Sequence, residues 1–72
     1  MSYLERIYLT NKCLRRYLKD PLKNIKKIEN FLFKSGYYFK ELEEYEKSHI
    51  IYTLGLIDQL IGYKFNNNGD LI

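Results

Sequence analysis

The sequence predicts an all-α protein: two short helices, then one long helix, then a flexible C-terminal tail, with a second copy of the chain completing a homodimeric helical bundle. Three observations predict it. Apolar residues recur in steps of three and four along most of the chain, the single proline stands directly after an aspartate, and no proline interrupts the stretch from Tyr37 to Lys64.

The first helix is expected from Tyr3 to Leu18. Ser2 followed three residues later by Glu5 is a capping-box pattern, and Leu4, Ile7, Asn11, Leu14 and Leu18 form a stripe flanked by Tyr8. Asn11 interrupts this aliphatic stripe, either as a buried amide paired with its symmetry mate or as a hydrated residue at the edge of a small core. Asp20-Pro21 then resets the chain, since Asp is a favoured cap and Pro tolerates the first helical position, where its missing amide proton would have no partner. A second helix from Pro21 would bury Leu22, Ile25, Ile28 and Leu32 and stop at Ser35-Gly36.

The long helix carries a heptad seam: Tyr38, Leu42, Tyr45, His49, Tyr52, Leu56, Gln59 and Tyr63 follow one another in alternating steps of four and three. Glu41, Glu43, Glu44 and Glu46 crowd its first turns, where the helix dipole favours negative charge. Past His49, the residues Ile50, Ile51, Leu54, Ile57, Leu60 and Ile61 spread apolar surface around most of the circumference. A helix of that kind has to be enclosed, and two short helices cover only one side. The other side is therefore expected to meet a second copy, with Tyr45, His49, Tyr52, Leu56 and Leu60 as the dimerisation residues. Gly55 and Gly62, with Asp58 between them, read as a thinly covered solvent face or a site of close helix approach.

Size and composition limit the function. At 72 residues only about 60% of the unfolded chain's surface is buried by a monomer, so self-association is a natural support. The lone Cys13 makes no internal bridge, and the lone His49 supplies no paired zinc-ligand set. No metal and no cofactor are expected. The run Ile50 to Ile61 is interrupted by Gly55 and Asp58 and falls short of the roughly 20 residues of a membrane span, and no cleavable leader stands at the start. The chain thus reads as soluble, intracellular and not membrane-bound. No carboxylate pair in an apolar setting, no Gly-rich phosphate loop and no nucleophile motif points to an enzyme.

Charge is unevenly distributed, +7 over residues 1–40 and −4 over residues 41–72. Arg15, Arg16, Lys19, Lys23, Lys26 and Lys27 form a basic set that would suit phosphates, although no helix-turn-helix recognition helix accompanies it. Whether nucleic acid is a partner stays open on these residues.

The C-terminal segment carries the functional reading. Lys64-Phe65-Asn66-Asn67-Asn68-Gly69-Asp70-Leu71-Ile72 breaks helical hydrogen bonding with asparagines and a glycine, then ends on two large aliphatics, the layout of a spacer with an apolar tip. Residues 1–65 are thus expected to form a dimerisation domain and residues 66–72 a flexible partner-binding tail. In its short Lys/Tyr/Asn-rich three-helix layout and this terminal segment, the chain resembles the small internal scaffolding proteins of staphylococcal phage satellites, which redirect a helper phage's shell to a smaller size. The resemblance implies a non-enzymatic helical dimer that binds the major capsid protein through its C-terminal segment, in the host cytoplasm and inside the procapsid during assembly. It implies further that Lys64, Phe65, Asp70, Leu71 and Ile72 carry the capsid-protein contact. A second resemblance, to small basic helical modulators of nucleoid proteins, implies the alternative of a nucleoid or transcription modulator acting through protein contacts and DNA.

Overall fold

A computed structural model describes residues 3–35 and 43–72. It is mostly helical: α1 spans Tyr3–Thr10, α2 Lys12–Leu18, α3 Ile25–Lys34 and α4 Glu44–Ile61, and a single 3-10 turn, Gly62–Lys64, follows α4. The all-α class read from the sequence holds. The seam positions Tyr38 and Leu42 lie outside the described residues.

Two helix boundaries differ from expectation. The first helix is not continuous from Tyr3 to Leu18, because Asn11 takes an extended backbone (φ −127°, ψ 99°) and separates α1 from α2. A break there strands the last carbonyls of α1, and side chains supply the missing donors. Asn11 Nδ2 donates to the Ile7 carbonyl at 2.8 Å, and Arg15 Nη1 donates to those of Tyr8 and Leu9 at 3.1 and 2.8 Å. Within the chain Asn11 is half-buried with its amide spent on the Ile7 carbonyl, and it interrupts the stripe. It ends a helix.

The second helix does not begin at Pro21. Residues 21–24 form turns, with the Asn24 amide donating to the Asp20 carbonyl at 3.1 Å and Asn24 Nδ2 to those of Tyr17 and Asp20 at 3.2 and 3.0 Å. The Asn24 side chain ties this turn back to the end of α2 through the Tyr17 carbonyl, and α3 begins at Ile25. Leu22, expected inside, is exposed as a result. Ile28 and Leu32 are fully buried as the spacing implied.

At the start of α4, Glu43 and Glu46 form a reciprocal capping box, in which the Glu43 amide donates to Glu46 Oε1 at 3.3 Å. The core comprises Ile7 and Tyr8 of α1, Leu14 and Leu18 of α2, Ile28 and Leu32 of α3, and Leu54 and Ile57 of α4. Ile50, Ile51, Ile61 and Phe65 pack against it, half-buried. At about 1.5–3 kcal/mol per fully buried side chain this is a small core, and its polar contacts carry correspondingly more of the fold's definition. The contacts also run between all the main partners, α1 with α4 and α2 with α1, α3 and α4.

Candidate functional site

Two surfaces follow from this packing: a terminal turn clamped onto α2, and the face of α4 that points away from the core.

The terminal turn is built by its asparagine and glycine. Asn66 Oδ1 accepts from the amides of Asn68 and Asp70 at 2.9 and 3.0 Å, while the Gly69 amide donates to the Asn66 carbonyl at 2.9 Å. Gly69 takes φ +87°, the left-handed region that a side chain disfavours. The chain then returns antiparallel to itself. Phe65 and Leu71 form an isolated bridge, the Asn66 amide donates to the Asp70 carbonyl at 2.8 Å, and the Ile72 amide donates to that of Lys64 at 2.8 Å.

Arg15 holds the turn to the body. Its side chain is buried, Nε donates to the Gly69 carbonyl at 2.9 Å, and the guanidinium carbon lies 4.4 Å from the centroid of the Phe65 ring. Phe65 meets Tyr8 edge to face, centroids 5.8 Å apart. At the rim, Lys12 Nζ and Asp70 Oδ1 pair at 2.7 Å. Gly69 is buried against α2, so closely that a Cβ there would stand 2.6 Å from the Lys12 carbonyl oxygen. The spacer expected over residues 66–72 is thus a folded turn in the structure, because Gly69 and Phe65 both find partners on the helices.

A second polar cluster closes the junction of α1, α2 and α4. The Tyr8 hydroxyl donates to Asp58 Oδ1 at 2.6 Å, and Lys19 Nζ donates to the Gly62 carbonyl at 2.6 Å while lying 3.6 Å from Asp58 Oδ1. Burial, then the hydrogen bond to Asp58, pushes the Tyr8 hydroxyl well above the usual tyrosine range. The face of Asp58 and Gly62 is therefore covered by α1 and Lys19, while Gly55 has open space beside it. Among the described residues no buried side-chain nitrogen or oxygen lacks a partner.

The residues proposed from sequence for a partner contact are brought to one end of the molecule but divided between two tasks. Phe65 faces inward and Asp70 is paired with Lys12, whereas Lys64 is exposed and the tip residues Leu71 and Ile72 are 72% and 83% exposed. The seam residues of α4 share the face opposite Leu54 and Ile57. Tyr45, Tyr52 and Leu60, and Tyr63 in the turn beyond α4, are between 64% and 74% exposed, Leu56 is 39% exposed, and His49 and Gln59 are exposed between them. A groove lined by Tyr45, Glu46, His49 and Ile50 opens at the N-terminal end of this face.

Arg15, Tyr8, Lys19, Asp58 and Gly69 were not legible as a unit. The Asn-Gly turn signal was in the sequence, but Arg15 reads there as one more member of a basic patch. Two of the six residues of that patch, Arg15 and Lys19, are engaged inside the fold, leaving Arg16, Lys23, Lys26 and Lys27 exposed. Cys13 is an exposed free thiol beside Arg16. Among the described residues no group of three His, Cys, Asp or Glu side chains is placed to hold a metal ion, and no helix is long and apolar enough to cross a membrane. No protein-family model, curated protein or solved structure matches the chain.

Proposed function

We propose that this chain is a non-enzymatic assembly protein that self-associates through the outer face of α4 and offers the Leu71–Ile72 tip to a protein partner. In the reading that the sequence resemblance supplies, the partner is a major capsid protein and the role is that of an internal scaffold directing shell assembly and size. The observation that carries the proposal is the pairing of an exposed apolar tip with a clamped turn: Leu71 and Ile72 are open to solvent, while Gly69 and Asp70 directly before them are tied to Arg15 and Lys12.

Clamping has an energetic consequence for binding. Burying two aliphatic side chains yields roughly 3–6 kcal/mol gross, and ordering a free spacer would cost about 1–2 kcal/mol per residue. A turn that is already fixed removes most of that cost. Affinity of a single tip stays modest, and two or more tips on an oligomer facing a repeated surface gain about 10²–10⁴ in effective affinity by linkage. Weak, multiple and reversible contacts suit a scaffold that has to leave a finished shell.

The test is deletion of Leu71 and Ile72 in the full chain, which removes the Phe65–Leu71 and Ile72–Lys64 backbone pairing along with the apolar tip and keeps the residues of the Arg15–Gly69 and Lys12–Asp70 contacts, beside Leu71→Ser with Ile72→Ser, which keeps that backbone pairing as well. Both variants should keep their helicity and their oligomeric state and fail to enter shells when co-expressed with the capsid protein. Normal incorporation and an unchanged effect on shell size would overturn the proposal.

The exposed set Arg16, Lys23, Lys26 and Lys27 supports a second reading, a modulator of nucleoid or transcription proteins that touches DNA. Four phosphate contacts would give a log-log salt slope near −3.6, and binding to DNA that lacks this dependence would count against it.

A further inference from the structure

We infer that the cleft between α2 and α3 is a docking site for an acidic segment of a partner protein, one that lays an apolar side chain into the cleft between flanking carboxylates. This goes beyond the self-association and the terminal tip proposed above. It uses neither the outer face of α4 nor Leu71 and Ile72.

Helical spacing builds the cleft. On α2, Cys13 and Tyr17 stand four positions apart, and on α3 Lys27, Asn30, Phe31 and Lys34 follow in steps of three, one and three, so each set shares one face of its helix. Together they line a cleft of about 310 Å³. That is at the small end of the roughly 300–1,000 Å³ of ligand pockets, which suits one or two side chains and not a whole helix. Its floor is apolar, since Tyr17 and Phe31 are half-buried and pack on the core.

Charge around the cleft is of one sign. Arg16 stands beside it, with Nη2 3.9 Å from Cys13 Sγ and the guanidinium carbon 5.5 Å from the centroid of the Tyr17 ring. Lys27 Nζ lies 5.8 Å from the same centroid. Lys34 stands two helical turns, about 10.5 Å, further along α3. No acidic side chain lines the cleft, and among the described residues no carboxylate pairs with any of these three cations. Asp58 is taken by Lys19, Asp70 by Lys12 and Glu44 by Lys47, while Glu29 lines a separate cleft with Phe33 and Lys47. Cations held beside apolar surface without an internal counter-charge are the complement of a ligand that carries carboxylates and an apolar group together.

Two features favour a peptide over a nucleic-acid strand. The Tyr17 ring already carries two cations, so a base stacking on it has to displace them, whereas a carboxylate meets them where they stand. The half-buried floor, in turn, gives a phosphodiester backbone nothing to pair with and gives an aliphatic or aromatic side chain a surface to cover. With Lys27 and Lys34 two turns apart, carboxylates on both sides of that side chain each find a cation. Because Arg16, Lys27 and Lys34 are exposed, the contact is weak and salt-sensitive.

Titration of the isotopically labelled full chain, followed at its backbone amides by NMR, tests this with defined probes. A short peptide with one leucine flanked by glutamates should shift the amides of Cys13, Tyr17, Lys27, Asn30, Phe31 and Lys34 most. Counterparts with glutamine for glutamate, or serine for leucine, should each bind about 5-fold more weakly or worse. Lys27→Glu with Lys34→Glu should weaken the glutamate peptide by about 10-fold or more, whereas Lys23→Glu with Lys26→Glu, the same charge change at exposed lysines outside the cleft, should weaken it by less than about 3-fold. Equal losses in the two pairs would show attraction to net charge alone and overturn the site, as would shifts centred on α4 or the terminal turn. A single strand of oligothymidylate that shifts these amides where the peptide does not would overturn the acidic-peptide assignment in favour of nucleic acid. Deletion of Leu71 and Ile72 should leave the peptide titration unchanged, so the failure of this site and the failure of the tip are read separately.

Discussion

The Arg15 guanidinium donates through Nε to the carbonyl of Gly69, 54 positions along the chain, at a distance of 2.9 Å. The same side chain satisfies the carbonyls of Tyr8 and Leu9 and lies over the Phe65 ring. One cation therefore joins the end of α1, the middle of α2 and the terminal turn. Its planar fork serves donors in several directions, a geometry that a point charge does not reproduce.

Arg15→Ala should destabilise the protein by about 2–4 kcal/mol, since it leaves three carbonyl acceptors without their charged donor and removes the cover of Phe65. Arg15→Lys should restore only part of this. Urea unfolding followed by circular dichroism is the check, with a lowered midpoint and an unchanged slope as the expected outcome.

Gly69→Ala should loosen the turn selectively. The left-handed backbone costs an alanine about 1–2 kcal/mol, and its Cβ would stand 2.6 Å from the Lys12 carbonyl oxygen, a backbone atom with little freedom to retreat. Hydrogen exchange at the amides of Asn66, Gly69 and Ile72 should accelerate well beyond any change in the core amides of α2 and α4. Uniform acceleration across the molecule would show that the turn and the core open together.

These two residues also mark what the sequence disclosed and what it withheld. The period of the apolar residues located Ile7, Leu14, Leu18, Ile28 and Leu32 in the core, because helical burial leaves a local trace every three or four positions, whereas in the long helix Leu54 and Ile57 were not singled out from the apolar residues spread around its circumference. The break at Asn11 and the late start at Ile25 left no such trace. Each depends on a side-chain contact to backbone: Asn11 takes the Ile7 carbonyl that its own amide would use in a continuous helix, and Asn24 reaches back to the Tyr17 carbonyl at the end of α2. The clamp on Gly69 was less legible still. It is a contact between distant segments in which a charged residue is buried, and in sequence Arg15 looks identical to the exposed Arg16 beside it. The Leu-Ile tip was readable as a tip, while the manner of its support was not.

Stability should fall on the alkaline side through Tyr8. Its hydroxyl is a donor to Asp58 and its pKa in the folded state is raised above that of the unfolded chain, so the folded state favours the protonated form. The contribution is fully present below the unfolded value of about pH 10, and it is lost as pH rises from there through the raised folded value. Tyr8→Phe should cost about 1–3 kcal/mol at neutral pH, because Asp58 loses its hydroxyl donor. The difference in stability between the native chain and this variant should be flat below pH 10 and shrink above it. A difference that is constant to strongly alkaline pH would show that the Tyr8 hydroxyl does not titrate with unfolding.

The two faces of α4 should respond in opposite ways to the same substitution. Tyr52 is 64% exposed, so Tyr52→Glu places its charge in water within one protomer and should leave the protomer folded, as surface changes usually stay within about 0.5 kcal/mol. Leu56→Glu should behave similarly. In the paired state each change brings two unpaired carboxylates to the centre of the interface, where desolvation costs several kcal/mol per charge. If the chain self-associates as proposed, both variants should sediment as helical monomers at concentrations where the unmodified chain is expected to pair. Leu54→Glu differs because Leu54 is fully buried among α1 and α2, and a charge there should abolish the fold itself, seen as loss of helicity at every concentration. A dimer that persists in Tyr52→Glu and Leu56→Glu alike would move the interface off this face of α4. Unfolding of all three variants would show instead that the protomer has no stable existence outside the pair.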